Sequence, residues 1–522
     1  MSNQYSNKGI YKNISNWHNF RLTVFAEGIA TGIFAGLVIS FFRWALHETE
    51  VWRAGFFKNV LSQNPLYIVL WFAALILVAF VLDRLTKHEP LAAGSGIPQV
   101  KGAIVGLIKM RWFPIMWVKL VAGIIGIGAG LSLGREGPSI QLGAVSAQGI
   151  SRFLKRTRME ERYLMTSGAS AGLAAAFNAP LAGVMFALEE LHRSFSIVVL
   201  LPSMAAAFTA TILSRFLFGR APIFTMPDLQ VLHTEDLLIV VLVAMVAGTC
   251  GVIFNKGLLN VNRFYALPIF KSSFHKIAFA LFCAGVLGFY LPEVLGGGNN
   301  LINQLATTPA PLKMLVIFLI GKLIFTFISY GCGVPGGFFL PMLVIGALTG
   351  SVISNLLVTA GIIEAAKGPT IVVIAMAALF SSSVRAPITG TVLIMEMTSS
   401  YQQLLSLAVA SMIAFVVAEL WQSKPIYEEL LARSLNSQKP SEAVKHQRTL
   451  AEFVVDSGSY CENKMLKQIE LPPHTLIVDI KRGEESITPE PDVKLMQGDF
   501  IYVFCTHTQV EEISKLTDYK DK

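Results

Sequence analysis

Apolar stretches long enough to cross a lipid bilayer recur along the chain, separated by short polar connections. They cover residues 24–46, 66–82, 117–133, 197–218, 237–254, 277–291 and 315–329. Because a crossing helix needs about 20 mostly apolar residues, this pattern predicts an all-α protein that crosses the membrane many times.

A second group of apolar segments is too short or too interrupted to cross the bilayer alone. These segments are 94–107, 138–147, 337–348 and 386–397, and most of them open at glycine or proline. Broken hydrophobic segments in matching places of two halves are typical of a transport site. We therefore predict half-helices that begin inside the bilayer.

The apolar region can be divided into two matching halves, 24–218 and 235–433. Residues 138–144 match 341–347, and 179–183 with Glu189 match 386–390 with Glu396. The offset between the halves differs by only four residues from the first match to the second. In this register Glu136 lies opposite Phe339. Glycine, alanine and proline also recur by chance in membrane helices, but two ordered matches favour an internal duplication, of inverted topology.

The two ends of the chain have a different character. Residues 1–23 are polar and lack the apolar region of a signal peptide, so we predict an N-terminal tail. Residues 434–449 are polar and charged, which predicts a linker. Beyond it, 475–480 and 500–505 are predicted strands and 509–516 a short amphipathic helix. Residues 450–522 therefore indicate a small soluble α+β domain.

The composition narrows the class of protein. The chain is 53% hydrophobic and 15% charged, with a mean hydropathy of +0.57, which excludes a large soluble enzyme. The formal charge of +8 raises the question of nucleic acid. The basic residues lie in tails and short connections, as in membrane proteins, so we predict no nucleic-acid partner. The cysteines and histidines show no ligand spacing, and we predict neither a metal site nor a disulfide framework.

Glu136 lies inside an apolar region, in the sequence Gly134-Arg135-Glu136-Gly137-Pro138. An ionisable group at membrane depth costs roughly 2.5–3.5 kcal/mol even on the mildest insertion scale, so it is expected to be functional. The glycines let the backbone leave helical geometry, and Pro138 suits the first turn of a new helix. The free amides and positive dipole end of such a helix attract an anion. Ionised Glu136 can take the place of that anion and leave it when protonated, which would couple ion and proton movement.

Three other motifs offer hydroxyls or free amides at predicted helix starts. Such groups bind a weakly hydrated anion without the full positive charge that would trap it. Each motif also has an ordinary explanation, as a turn or, for the tyrosine, as a residue at the membrane interface. The motifs are Gly94-Ser95-Gly96-Ile97-Pro98, Gly336-Gly337-Phe338-Phe339-Leu340-Pro341 and Lys424-Pro425-Ile426-Tyr427.

Two adjacent carboxylates, Glu189 and Glu190, close the apolar segment 180–188. Neighbouring residues on a helix point about 100° apart, so one can face the packed interior while the other faces water or a proton route. The ordinary interpretation is a pair of acids at a helix end. Arg135 is predicted to bind backbone carbonyls or an acid rather than the transported ion.

One pattern suggests an intramembrane serine hydrolase. Gly168-Ala169-Ser170-Ala171-Gly172 fits G-x-S-x-G, and His192 lies downstream. The hydrolase motif needs a strand–turn–helix context, whereas this segment is rich in alanine and glycine and helical in pattern. Close helix packing explains the small residues more simply. We therefore predict that the protein is not an enzyme.

The four motifs resemble those of the chloride channel/transporter (CLC) family. Residues 94–98 are similar to its GSGIP signature, 134–138 to GREGP, 337–341 to GxFxP and 424–427 to its terminal tyrosine segment. The resemblance covers roughly residues 24–433. It implies an inverted-repeat membrane fold and a homodimer with an anion pathway in each subunit. It also implies a multi-pass protein of the plasma membrane with both terminal regions in the cytoplasm.

The resemblance further implies which residues bind the anion. Ser95 and Tyr427 would coordinate a central chloride ion through their hydroxyls, and Phe338 and Phe339 would contribute backbone amides. Nitrate-preferring relatives carry proline at the position of Ser95, so the serine indicates chloride.

The same resemblance implies that two carboxylates take part in proton transfer. Glu136 matches the external gating glutamate, and Glu190 matches the internal proton-transfer glutamate that the family's channels usually lack. This favours a chloride/proton antiporter, working without a cofactor, over a passive chloride channel. Gln99 and Lys101 stand where some bacterial relatives have acidic residues, so the resemblance does not define the surroundings of Glu190.

The C-terminal domain resembles the regulatory TrkA-C domain of potassium-uptake proteins. The resemblance implies a cytoplasmic module that responds to a small nucleotide or an ion, and a bacterial origin. A further alternative is a sensor in which this tail is the functional part. The residues that carry the resemblance are Arg482-Gly483-Glu484, Pro489 and Gln497-Gly498-Asp499.

Overall fold

The computed structural model describes residues 5–59, 65–193, 195–226, 229–232, 234–308, 310–437, 448–456, 458–482 and 485–517. The chain forms two compact units, one ending at Leu431 and the other beginning at Ala432. The first unit, which we call the membrane unit, is helical, and the second contains a sheet of four strands.

The helices of the membrane unit fall into two consecutive sets. The first set is α1 (Tyr5–Asn59), α2 (Pro65–His88), α3 (Ile97–Val105), α4 (Trp112–Gly128), α5 (Glu136–Phe153), α6 (Arg158–Phe177), α7 (Pro180–Phe186) and α8 (Ile197–Phe218). The second set is α9 (Leu237–Phe264), α10 (Ser273–Tyr290), α11 (Asn299–Thr307), α12 (Leu312–Gly331), α13 (Phe339–Thr359), α14 (Gly368–Val384), α15 (Pro387–Thr398), α16 (Leu404–Leu420) and α17 (Ile426–Ser437).

Within the described residues, nine helical segments are long and apolar enough to cross a bilayer. Three of them were not predicted from the sequence as membrane-crossing segments: Phe339–Thr359, Ala365–Val384 and Tyr401–Leu420. The prediction that 337–348 is too short to cross was wrong, because the helix continues through Gly350 and Ser351 to Thr359. Small polar residues interrupt the apolar run there without ending the helix.

One other predicted boundary was also wrong. The apolar stretch 117–133 is not one helix, because α4 ends at Gly128 and Gly130 adopts a left-handed φ of 104°. Glycine reaches that region without steric cost, so the chain turns toward the next motif. The helix α1 already begins at Tyr5, within the predicted N-terminal tail 1–23, and its segment apolar enough to cross a membrane begins at Leu22. Residues 1–4 lie outside the described residues.

Equivalent segments of the two halves run antiparallel. Gly134 and Gly337 form an antiparallel bridge. The helices α7 and α15 begin in the same way, each at a proline that follows an alanine of nearly identical backbone geometry: φ −125° and ψ 80° at Ala179, φ −126° and ψ 77° at Ala386. This arrangement is the one expected of an inverted duplication.

The second unit is a small α+β domain. Its antiparallel sheet has the order β1-β4-β2-β3, and its interior contains Val455, Ile480, Leu495, Val503 and Ile513. The elements are β1 (Arg448–Val454), β2 (Leu476–Arg482), β3 (Glu485–Ile487), β4 (Phe500–Thr506) and α18 (His507–Thr517). β2, β4 and α18 lie where the sequence predicts them. β1 and β3 were missed.

The predicted linker 434–449 is shorter than expected in the structure. Its first residues continue α17 to Ser437, and Arg448 already pairs with Thr506 in the sheet. Residues 438–447 lie outside the described residues. The other predicted domain boundaries stay predictions.

Candidate anion site

Three of the predicted motifs meet through their backbones. The amide of Gly336 donates to the carbonyl of Gly94 at 3.0 Å, and Gly134 and Gly337 exchange hydrogen bonds of 2.6 and 2.9 Å. These bonds bring together the loops that precede α3, α5 and α13. The positive ends of three helices therefore converge on one region of the membrane unit.

The glycines of these loops are required by close approach. A Cβ atom added at Gly137 would lie 2.7 Å from the carbonyl oxygen of Ser95, and one added at Gly337 would lie 3.1 Å from the amide of Gly137. Gly96 adopts a φ of 89°. Side chains at these positions would force the helix starts apart, so the motif glycines set the dimensions of the site.

Ser95 lies at this convergence with 1% of its surface exposed. Its Oγ accepts the amide hydrogen of Ile97 at 3.2 Å. Because a hydroxyl both accepts and donates, this contact leaves the hydroxyl hydrogen to be donated to another group.

Tyr427 is fully buried and its ring is held by two aromatic contacts. It stacks on Phe338 with ring centroids 5.3 Å apart and meets Phe186 edge-on at 6.4 Å. Its hydroxyl has no hydrogen-bond partner within the described residues. Leaving a buried polar group unpaired costs about 1–3 kcal/mol, so this hydroxyl is suited to donate to a ligand.

Phe339 is also fully buried, but its ring faces other rings. Ring centroids lie 4.9 Å away at Phe380, 5.4 Å away at Phe177 and 6.1 Å away at Phe186. The ring therefore packs the interior, and only the backbone of the Phe338–Phe339 pair can offer hydrogen-bond donors at the start of α13.

Glu136 is the first residue of α5 and is completely buried. Neither carboxylate oxygen makes a hydrogen bond within the described residues, and the nearest cation is Arg135, whose Nε lies 3.9 Å from Oε1. A Cβ atom added at Gly134 would collide with Oε2 and would lie 3.2 Å from the amide of Leu340. The carboxylate thus lies against the first turn of α13 as well as α5.

A cavity of about 680 Å³ is lined by Arg135, the neighbour of Glu136. Its charged and titratable lining consists of His47, Glu50, Arg53, Arg135 and Glu293. Arg135 therefore both lines this cavity and lies near the Glu136 carboxylate.

Glu190 lies in a π-helical segment, Ala187–His192, that continues α7. Its side chain is 2% exposed and pairs with Lys101, whose Nζ lies 2.7 Å from Oε1. The neighbouring Glu189 takes another direction and accepts hydrogen bonds from the amides that begin α15. The two acids therefore separate as the helix geometry predicts, one buried and one serving as a helix cap.

The residues that depart from the family pattern have different surroundings. Gln99 donates to the carbonyl of Ala93 at 3.2 Å, while Lys101 contacts Glu190 directly. Nζ of Lys101 also lies 3.4 Å from Oε1 of Glu428, a residue that was not predicted to belong to the site. The only signal for it was an acid directly after the motif tyrosine.

The hydrolase hypothesis has no geometric support. Residues 168–172 belong to the uninterrupted helix α6 rather than to a sharp turn. Ser170 donates to the carbonyl of Ser203 at 3.4 Å, and His192 contacts Thr166 instead. The Ser170 hydroxyl and the His192 ring therefore have different partners.

The comparisons with known proteins identify the family. Residues 74–419 match the voltage gated chloride channel family, so the chain belongs to the CLC family. Residues 450–518 match the TrkA-C domain. Together with its apolar helices, this family membership makes the chain a multi-pass membrane protein.

Among similar proteins is the H(+)/Cl(-) exchange transporter ClcA of Vibrio cholerae, 34% identical over 79% of this chain and 89% of its own length. The ClcA of Citrobacter koseri is 34% identical over 81% of this chain and 92% of its own length. A solved structure of a slow cyanobacterial Cl-/H+ antiporter matches with a TM-score of 0.74 and 31% identity, over 80% of this chain and 98% of that one. A eukaryotic CLC transporter, at 21% identity and a TM-score of 0.66, shares the fold.

Proposed function

We propose that this protein is a secondary active antiporter that moves chloride in one direction and protons in the other. One observation carries the proposal: a fully buried carboxylate, Glu136, with no side-chain hydrogen-bond partner among the described residues, lies where the positive ends of α5 and α13 converge. The relatives described as proton/chloride exchangers support the same activity.

Chloride binds between the hydroxyls of Ser95 and Tyr427 and the amides of Phe338 and Phe339. This set contains donors and helix dipoles, and in the described part of the chain no lysine or arginine hydrogen-bonds to either hydroxyl. Binding by dipoles is moderate, which lets the ion leave as well as enter. The unpaired hydroxyl of Tyr427 supports this assignment.

Glu136 acts as the external gate. When ionised it is itself an anion, attracted by the same helix ends that attract chloride. When it binds a proton it loses its charge, and chloride displaces it. One side chain therefore links the arrival of a proton to the passage of chloride.

Glu190 is the internal proton-transfer group, and protons reach Glu136 from it by a route partly separate from that of chloride. Its burial and its separation from Glu189 support this role. The protein works as a homodimer in the plasma membrane, with both terminal regions in the cytoplasm, and the TrkA-C domain regulates it.

A passive chloride channel is the second candidate. The observation that favours it is the ion pair of Lys101 with Glu190, because a buried lysine needs a carboxylate partner whether or not that carboxylate carries protons. In such a channel Glu190 would serve as a structural partner of the lysine.

Ion flux in proteoliposomes tests the proposal. A chloride gradient should drive protons against their own gradient in the wild type. Proton movement should disappear in Glu136→Ala and Glu190→Gln, while chloride still passes. Ser170→Ala should match the wild type. Chloride flux without any proton movement in the wild type would support the channel, and loss of all flux on deleting 450–522 would support the sensor.

A further inference from the structure

Four charged side chains form a row from the solvent to Glu190. Arg193, with 52% of its side chain exposed, pairs with Oε1 of Glu428, which is 35% exposed. The same oxygen of Glu428 lies 3.4 Å from Nζ of Lys101, which is 6% exposed. That Nζ lies 2.7 Å from Oε1 of Glu190, which is 2% exposed. Exposure falls at each step toward the interior.

The row is assembled from separate parts of the membrane unit. Lys101 lies in the middle of α3, and Glu190 lies in the π-helical segment after α7. Glu428 lies in the first turn of α17, directly after Tyr427. The row therefore passes next to Tyr427 of the proposed chloride site on its way from the solvent to the proposed proton site.

An ordinary ion-pair network would use these residues only to compensate buried charge. A buried lysine does need a carboxylate partner. A second, half-exposed carboxylate on the same ammonium is not needed for that purpose. Lysine can also release a proton when it is buried, whereas arginine stays charged.

We propose that Glu428 takes protons from water and that Lys101 passes them to Glu190. This inference rests on the proposed role of Glu190. The ammonium of Lys101 gives a proton to the Glu190 carboxylate, which leaves a neutral amine and a carboxylic acid. The acid form of Glu428 then returns a proton to the amine, and a hydronium ion from the solvent restores the acid of Glu428 with release of water.

The reverse sequence carries protons outward, so the row works in both directions. Each transfer breaks one N–H or O–H bond and forms another, and the net charge of the row returns to its starting value once Glu190 has passed its proton on toward Glu136. Arg193 holds the Glu428 carboxylate toward Lys101 and is a positioning residue.

Two substitutions separate proton relay from charge compensation. Lys101→Arg keeps the positive charge and the hydrogen bonds but cannot release a proton, and Glu428→Gln keeps the side-chain shape without a titratable group. Each should lower the proton flux of proteoliposomes at least roughly tenfold, which corresponds to about 1.4 kcal/mol. Chloride flux and chloride affinity by calorimetry should stay within about twofold of the wild type. Glu429→Gln, which removes an acid from the same helix turn, is the matched control.

The outcomes are distinct. If Glu190→Gln stops protons while Lys101→Arg and Glu428→Gln exchange them at the wild-type rate, the relay is overturned and the proposed function stands. If the wild type moves no protons, or Glu190→Gln moves them normally, the proposed function itself fails. If Lys101→Arg also loses chloride binding, the test rests on Glu428→Gln. Proton flux at the wild-type rate in Glu428→Gln would then overturn the relay.

Discussion

Glu189 and Glu396 cap each other's helices across the junction of the two halves. Each acid lies near the C-terminal end of one short helix, and each accepts two backbone hydrogen bonds from the first turn of the other. The capped amides belong to Ile388 and Thr389 for Glu189, at 3.2 and 2.7 Å, and to Leu181 and Ala182 for Glu396, at 3.2 and 2.8 Å. This reciprocity fixes α7 and α15 as an antiparallel pair.

Removing either cap should destabilise the membrane unit without changing ion coupling. Glu189→Ala and Glu396→Ala each lose charge-assisted bonds to helix amides, at a cost of about 1–3 kcal/mol. Thermal unfolding in detergent should therefore start at a lower temperature in both. Glu419→Ala removes an acid with 61% side-chain exposure, and its buried partner Arg385 still donates to the carbonyls of Phe415 and Ser423, so this variant should show a smaller effect. Equal unfolding temperatures for all three variants would argue against the capping role.

Gly134→Ala should displace the gate. The added methyl group would collide with Oε2 of Glu136 and crowd Leu340. The flexible carboxylate is easier to move than the backbone, so we expect faster chloride flux with weaker proton coupling. Gly321→Ala, where the nearest atoms lie 3.5 Å or more from the added Cβ, is the control. Wild-type coupling in Gly134→Ala would show that the carboxylate does not close the pathway from this position.

Two fully buried lysines, Lys119 in the first half and Lys322 in the second, should contribute unequally to chloride binding. Lys119 donates to the carbonyls of Ala92 and Gly94, and Lys322 donates to Val294 and Gly296. Replacement by methionine leaves these carbonyls unpaired, at about 1–3 kcal/mol for each buried group. Both variants should unfold at lower temperatures.

Of these two lysines, Lys119 is the one that holds the loop carrying Ser95. Calorimetry should therefore show weaker chloride binding in Lys119→Met than in Lys322→Met. The same affinity in both would mean that the position of the Ser95 loop does not depend on this lysine.

The hydroxyl and the ring of Tyr427 should have separable effects. Tyr427→Phe keeps the packing on Phe338 and Phe186 and loses one donor, worth about 0.5–1.5 kcal/mol, so chloride affinity should fall roughly two- to tenfold. Tyr427→Ala also removes the ring that closes the site, and should weaken both affinity and coupling further. Unchanged affinity in the alanine variant would remove this residue from the anion site.

The stability of the TrkA-C domain should fall in acid through Asp499. Burial alone would raise the pKa of this carboxyl, but hydrogen bonds from Arg482 and from the amide of Met496, with the charge of Arg482, hold the pKa below its ordinary value. A carboxyl whose pKa is lower in the folded state stabilises the fold above its unfolded-state pKa. That contribution is lost as the pH falls through the folded-state pKa.

Hydrogen exchange of the full-length protein, corrected for intrinsic rates, measures this effect. Protection of Phe500–Thr506 in the wild type should stay nearly constant from about pH 7 to about pH 5 and decrease as the pH falls below about 4. Asp499→Asn should be less protected at the higher pH and should vary less with pH. If protection in Asp499→Asn fell with pH as steeply as in the wild type, another group would be responsible for the acid sensitivity.

The sequence predicts the parts of the site better than their contacts. Glycine and proline mark where helices break, so the starts of α5 and α13 can be located from the local residues. The apolar runs predict spans less well, because segments such as Phe339–Thr359 contain small polar residues that are buried inside the protein rather than exposed to lipid.

Long-range pairings are beyond a single sequence. Lys101 and Glu190 are separated by 89 positions, and nothing in their local sequences indicates that they touch. The acid-to-amide caps of α7 and α15 join positions about as far apart as the two halves themselves. Those contacts follow from the fold, which only the family resemblance indicated.

The central claim is that chloride and the Glu136 carboxylate compete for one place at the starts of α5 and α13. Anomalous diffraction from crystals grown in bromide tests it directly, on the wild type and on Glu136→Gln. We expect a bromide peak between Ser95 and Tyr427 in both proteins. In Glu136→Gln we expect a further peak at the position that the Glu136 carboxylate occupies in the wild type. The same peaks in both proteins, or none beside Ser95 and Tyr427, would contradict it.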